Sequence, residues 1–311
     1  MIHKLSNSHH NPISLIPHLR AFASESMGCF ALSASVECFV LDAAANLRDE
    51  ASSVVWKKVA SGLSAPSCSG AACAFALDSS AWGRAVALTS RLTTGERYVS
   101  THVVVPDGAG YLWQCAEGCL GAGVVRSATD ATFASSVSLF DSLLAVGAPG
   151  AQTSKEYTGD GTVRLYRAAG TPDTSGYARY SAWEDALTLK GGAGFGAVVS
   201  LGAQFLLVQA PGNSTVPTAV HVYHVGVDGA AVTAVAVCSV RYSAMGRESL
   251  LGASLAQSTA EDGISTVAVL GAPGANKAFT LKLKGGAAPT CAFEDTFSPE
   301  TDDLTIADRF G

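Results

Sequence analysis

"LLAVGAPGAQ" runs from Leu143 to Gln152, "LLVQAPGNST" from Leu206 to Thr215, and "VAVLGAPGAN" from Val267 to Asn276. Each is an apolar run broken at Ala-Pro-Gly, and Pro149, Pro211 and Pro273 follow one another at intervals of 62 residues. Leu143, Leu144, Ala145 and Val146, like Leu206, Leu207 and Val208, are apolar at consecutive positions. The runs are short and end at a breaker, which predicts strands covered on both faces rather than helices. Proline ends the ladder because it has no N–H to donate, and the glycine behind it permits a sharp turn.

Working outward, each run sits in a longer unit. From Phe195 come "FGAVVSLG", "AQFLLVQAPG", "TAVHVYHV" and "AAVTAVAVCSVRYS". From Phe133 come "FASSVSLF", "DSLLAVGAPG", "GTVRLYRA" and "AWEDALTLKG"; from Leu251 come "LGASLAQS", "STVAVLGAPG" and "AFTLKLKG". Val, Leu and Tyr between Gly, Pro and Asn predict four strands joined by tight turns. In "AFTLKLK" Phe279, Leu281 and Leu283 share one face and Thr280, Lys282 and Lys284 the other, a half-wet strand near a rim. A weaker unit starts at Trp82, with "WGRAVALTS", then "YVSTHVVVPDG", in which Pro106-Asp107-Gly108 replaces Ala-Pro-Gly, then "GYLWQC". The weakest starts with "FALSAS" at Phe30 and takes "VVWKK" as its third strand. "DRFG" supplies a further start at Phe310. The fold class this predicts is all-β, a propeller of four-stranded antiparallel blades occupying residues 30–311, with starts near 30, 82, 133, 195, 251 and 310. One unit cannot bury its own faces, which is why the sequence repeats.

The totals agree. Of 311 residues, 48% are hydrophobic and 15% charged, too apolar for disorder. Net charge is −6 without a basic run, which argues against nucleic acid as a partner. No uncharged apolar stretch is long enough for a membrane span. Residues 1–29 read as a disordered leader: Lys4 and "AFAS" are signal-like, but Pro17, His18 and Arg20 interrupt the apolar part, so no convincing signal peptide is present. Cys68 with Cys73, and Cys115 with Cys119, are spaced for small disulfide loops in an oxidising compartment. Free buried thiols are the competing reading, while the spacings and the lack of a nearby His disfavour zinc. Asn213 opens a glycosylation sequon with Ser214 and Thr215.

Phe195-Gly196, the Ala148-Pro149-Gly150 and Ala272-Pro273-Gly274 breaks, and Asp308-Arg309-Phe310-Gly311 resemble FG-GAP repeats, the units of the seven-bladed propeller in integrin α-subunits and in many bacterial and protist surface proteins. The resemblance is specific over 133–311, fair over 82–132 and weak over 30–81. It implies a recognition propeller, often extracellular or at the cell surface, without naming a ligand. Units of the family often carry a calcium loop between first and second strands. Here "STAEDGIST" aligns Ser258, Ala260, Asp262 and Thr266 with the ligand positions, and only Asp262 keeps a carboxylate. Calcium takes six to eight oxygens, so the loop reads as degenerate and no metal or cofactor is expected. Because the related propellers have seven blades, the start at Phe310 suggests an array that continues past Gly311. A ring of five blades sealed by an outer strand from 1–29 or 296–311 is the alternative.

Catalytic signatures are scarce. No G-x-S-x-G elbow, P-loop or H-E-x-x-H occurs, and "GAGFGA" at Gly192–Ala197 lies between strands, not before a helix. His221 and His224 are three apart in a strand and face opposite ways. "EYTGDGT", with Glu156, Tyr157 and Asp160, is the longest polar excursion inside a unit and the candidate binding loop, or else a plain hairpin tip. The function expected is non-catalytic recognition of a protein or glycan through loops on one face. The alternatives are an enzyme with its site at the channel mouth, or a scaffold in a larger assembly.

Overall fold

In a computed structural model the chain is almost wholly strand. The described residues are the strands between 20 and 127 and, apart from 131, 154–155, 170–181, 214–215 and 242–249, residues 130–298. Five antiparallel sheets follow one another along the chain. The first holds β1 (Arg20–Ala23), β2 (Met27–Ala31), β3 (Ser35–Leu41), β4 (Trp56–Lys58) and β5 (Leu63–Ser64). The second holds β6 (Phe75–Leu77), β7 (Ala85–Arg91), β8 (Arg97–Asp107), β9 (Gly110–Gln114) and β10 (Val124–Ser127). The third is β11 (Ser136–Phe140), β12 (Leu143–Ala148), β13 (Asp160–Ala168) and β14 (Trp183–Ala193). The fourth is β15 (Val198–Leu201), β16 (Phe205–Ala210), β17 (Ala219–Asp228) and β18 (Ala231–Arg241). The fifth is β19 (Ser254–Thr259), β20 (Ser265–Ala272), β21 (Lys277–Lys284) and β22 (Thr290–Phe297). The last three are simple meanders in chain order, as hairpins with short turns require.

The Ala-Pro-Gly runs are β12, β16 and β20, the second strand of each meander. β12 and β16 are buried at every position, the dryness on both faces that their sequence predicts. Gly150 and Gly212 turn the chain behind the proline at φ 81° and 72°. In the fifth sheet Pro273–Ala275 makes a single 3-10 turn instead, and Asn276 takes the left-handed conformation at φ 52°.

The first two sheets differ from the strand reading by one step. "WGRAVALTS" forms β7, which pairs with β6 on one edge and β8 on the other, so it is a second strand and Phe75–Leu77 precedes it. Pro106 and Asp107 belong to the β8–β9 hairpin and not to a second-strand exit. Likewise "FALSAS" begins inside β2, the second strand, and "VVWKK" ends in β4, not in a third strand. Arg20–Ala23, assigned above to a leader, pairs with Gly28–Ala31. In both sheets the outer position is shared by two short strands: β4 and β5 on β3, and β9 and β10 on β8.

Each of the last four sheets lies against its predecessor, with the residue that opens the unit held between them. Phe133, 0% exposed, joins Ala85, Ala87 and Val99 of the second sheet to Leu139, Leu144 and Val146 of the third. Phe195 does the same between Leu143, Ala145 and Leu165 of the third sheet and Leu206 and Val208 of the fourth. Leu251 stands between Phe205 and Leu207 of the fourth and Leu270 and Leu281 of the fifth. Fully burying one such side chain contributes about 1.5–3 kcal/mol. Polar groups on the leading strands stitch the same seams. Ser136 Oγ donates to the Gly196 carbonyl at 2.8 Å, and the Leu201 N–H donates to Ser138 Oγ at 2.9 Å. Gln257 Nε2 donates to the Ser200 carbonyl at 2.9 Å, and Gln209 Nε2 to the Leu251 carbonyl at 2.8 Å.

Candidate functional site

In the third to fifth sheets the second-to-third-strand connections project at one end and shorten along the chain. They run 149–159, 211–218 and 273–276. The longest folds on itself. Gln152 and Tyr157 form an isolated antiparallel bridge. The Thr153 N–H donates to the Glu156 carbonyl at 2.7 Å, and the Thr158 N–H to the Ala151 carbonyl at 2.9 Å. Thr153 Oγ1 closes the tip by accepting from the Glu156 N–H at 3.0 Å. The excursion is therefore a small hairpin standing on the rim.

Tyr157 anchors it. Its ring lies against Gly194 and beside Pro211, which also abuts Gly194, so the loop of the third sheet touches the loop of the fourth. A β-carbon on Gly194 would reach both rings, and φ there is 76°. Burial pushes the Tyr157 phenol above its ordinary value. Glu156 and Asp160 do not join Tyr157 as a cluster: the described contacts of Glu156 use its backbone, and Asp160 is an exposed residue opening β13 opposite Ala193.

Asn213 belongs to the neighbouring loop. Its Oδ1 accepts the Val216 N–H at 3.0 Å and its own N–H donates to the Val216 carbonyl at 3.0 Å. The Gly212 N–H donates to the Ala193 carbonyl at 3.2 Å, tying the loop to the third sheet. Asn213 and Tyr157 thus share one rim, with exposed Val216 and Pro217 alongside.

Asp262 lies at the other end of the strands, in the β19–β20 turn. Its Oδ1 accepts the Ile264 and Ser265 N–H groups, each at 2.8 Å, and its Oδ2 accepts Ser265 Oγ at 2.7 Å. These bonds, the backbone bond from Ser265 foremost, hold the carboxyl below its usual value. Gly263 at φ 66° completes a tight turn. Both oxygens are committed to the turn, so the donor set does not suit a calcium ion. Among the described residues no three His, Cys, Asp or Glu side chains are grouped for a metal.

Cys68, Cys73, Cys115 and Cys119 lie outside the described residues. The disulfide the structure does contain, Cys238–Cys291, joins β18 to β22 across the outer edges of the fourth and fifth sheets. Sequence reasoning missed it because the polar "TCAFEDTF" was not recognised as a fourth strand. The separation of 53 residues, close to one repeat, was the available signal.

One nucleophile–base contact exists. Ser100 Oγ and His102 Nε2 are 2.9 Å apart on β8. Each residue is 3% exposed, sealed in the second sheet, so substrate has no access to it. His221 and His224 do face opposite ways, one against Phe195 and the other against Phe205. Among the described residues no helix is long and apolar enough to cross a membrane. No protein-family model and no curated protein matches the chain.

Proposed function

We propose that the chain is a non-catalytic recognition module, built as a β-propeller of FG-GAP-like units and working outside the cell or at its surface. It binds a protein or a glycan through the rim that carries the 149–159 and 211–218 loops. The observation that carries the reading is the β12–β13 loop. It folds as its own hairpin, and Tyr157 fixes it where the third and fourth sheets meet. Order in an excursion that the strand-to-strand connection does not require is what a recognition loop on a rigid scaffold needs.

The propeller reading is supported by the dry second strands and by the opening residues held between successive sheets. The extracellular reading is supported by the Cys238–Cys291 bond, since disulfides persist in oxidising compartments.

The test is a screen of the intact chain against arrays of glycans and of extracellular proteins, repeated with residues 151–158 replaced by a two-residue turn. Binding lost in the shortened chain, with thermal melting retained, is the expected result. A ligand held equally well by the shortened chain would remove the loop from the site.

A further inference from the structure

The fifth sheet leaves bare the face that the third and fourth sheets bury. Aligned on Ala-Pro-Gly, Leu143 and Ala145 of β12 correspond to Phe205 and Leu207 of β16 and to Val267 and Val269 of β20. The first four are 6%, 0%, 0% and 0% exposed because the following sheet covers them. Val267 and Val269 are 43% and 39% exposed. Pairing places Ala256, Ser258, Thr280 and Lys282 beside them, and Ser265 brings Lys284 onto the same face. Asp295 stands at its outer edge, opposite Thr280. The face is an apolar strip bordered by two ammonium groups.

The repeat states what belongs on such a face. Phe133, Phe195 and Leu251 each open a unit, and each is buried against the sheet before it. Behind β22 the sequence continues "PETDDLTIADRFG", 299–311, outside the described residues. This segment sets Leu304, Ile306 and Phe310 at even spacing. It carries Glu300, Asp302, Asp303 and Asp308 against one cation, Arg309.

We propose that this segment packs on the bare face of the fifth sheet. Phe310 takes the place there that Phe133, Phe195 and Leu251 take on the sheets before, and the acidic residues offset Lys282 and Lys284. Length permits it. From the end of β18, Arg241, the chain reaches the seat of Leu251 in 10 residues, and from Phe297 it has 13 to reach that of Phe310. Thirteen extended residues span up to about 43 Å, against about 15 Å across four strands. The inference concerns the chain's own packing and does not depend on a ligand.

A photo-crosslinking phenylalanine analogue at position 310 of the full chain, in a mixture of light and isotopically heavy copies, tests it. Links within one copy to peptides holding Ala256, Val267 or Val269 are expected. Links to other strands, links between light and heavy copies, or no links would overturn it, the second outcome assigning the face to another copy. Carbene footprinting supplies an independent measurement on the unsubstituted chain. Val267 and Val269 should be labelled weakly there and several-fold more in Phe310→Asp, while Leu206 stays protected in both as the folding control. Equal labelling of the two valines in both chains would refute the proposal.

Discussion

The ring of Phe195 lies on Gly191 of the preceding sheet, in space that a β-carbon would take. Gly161 faces the Phe195 backbone in the same way, so two glycines of the third sheet form the seat of the residue that opens the fourth. Gly191→Ala should destabilise by about 1–3 kcal/mol through overpacking. Combined with Phe195→Leu, the smaller side chain found at the next seam as Leu251, it should cost much less than the two single changes added. Denaturant melts of the four chains give the coupling directly. Additive losses would show that the ring and the glycine do not share one space.

Cys238 and Cys291 tie the outer strands of the fourth and fifth sheets. The loop they close has 53 residues, and constraining one of that length in the unfolded chain is worth about 2–4 kcal/mol. Changing both to alanine should lower the melting temperature, and reductant should lower the parent's to the same value. Non-reducing peptide mapping must find the two peptides linked. Free alkylated thiols at both positions in protein from an oxidising compartment would count against the bond.

The three Ala-Pro-Gly units were legible because their second strands are dry on both faces and so write an unbroken apolar run ended by proline. The first two sheets lacked that punctuation. β7 leaves its sheet through Arg91, while Val103-Val104-Val105-Pro106 at the far end of β8 imitates a second-strand exit, and the reading slipped by one strand. β22 was missed because five of its eight residues are polar or charged except for Ala292 and the aromatics Phe293 and Phe297, with Cys291 alone. Of the candidate residues, Tyr157 and Asn213 share a rim, but nothing in the spelling of "EYTGDGT" reveals that Tyr157 rests on Gly194 of the next unit. That contact comes from how two sheets stack, which a local pattern does not carry.

Asp262 spends its carboxylate on its own turn. Millimolar calcium should therefore leave the melting temperature unchanged and give no heat of binding. Asp262→Ala should lower the melting temperature slightly, since three hydrogen bonds of an exposed turn go with the side chain. A calcium-dependent rise in melting temperature that Asp262→Ala abolishes would mean that the loop opens to take the ion.

His102 makes the fold sensitive to acid. It is 3% exposed in β8, and burial lowers its pKa from 6.5 to about 4. In the unfolded chain the imidazole takes its proton near 6.5, and in the folded chain only near 4, so a falling pH protonates the unfolded state first. The stability associated with neutral His102 is whole above about pH 6.5, declines below it and is gone near pH 4, a total of about 3 kcal/mol. His102→Gln, which keeps a neutral polar group near Ser100, should cost some stability at pH 7.5 but flatten the decline towards pH 5. His221, lowered by burial and then by Arg241, acts in the same sense and is left in place in both chains, so the difference between them isolates His102. Melting temperatures at pH 7.5, 6 and 5 decide the matter. Parallel pH profiles for the parent and His102→Gln would show that His102 titrates normally and does not set the acid limit of the fold.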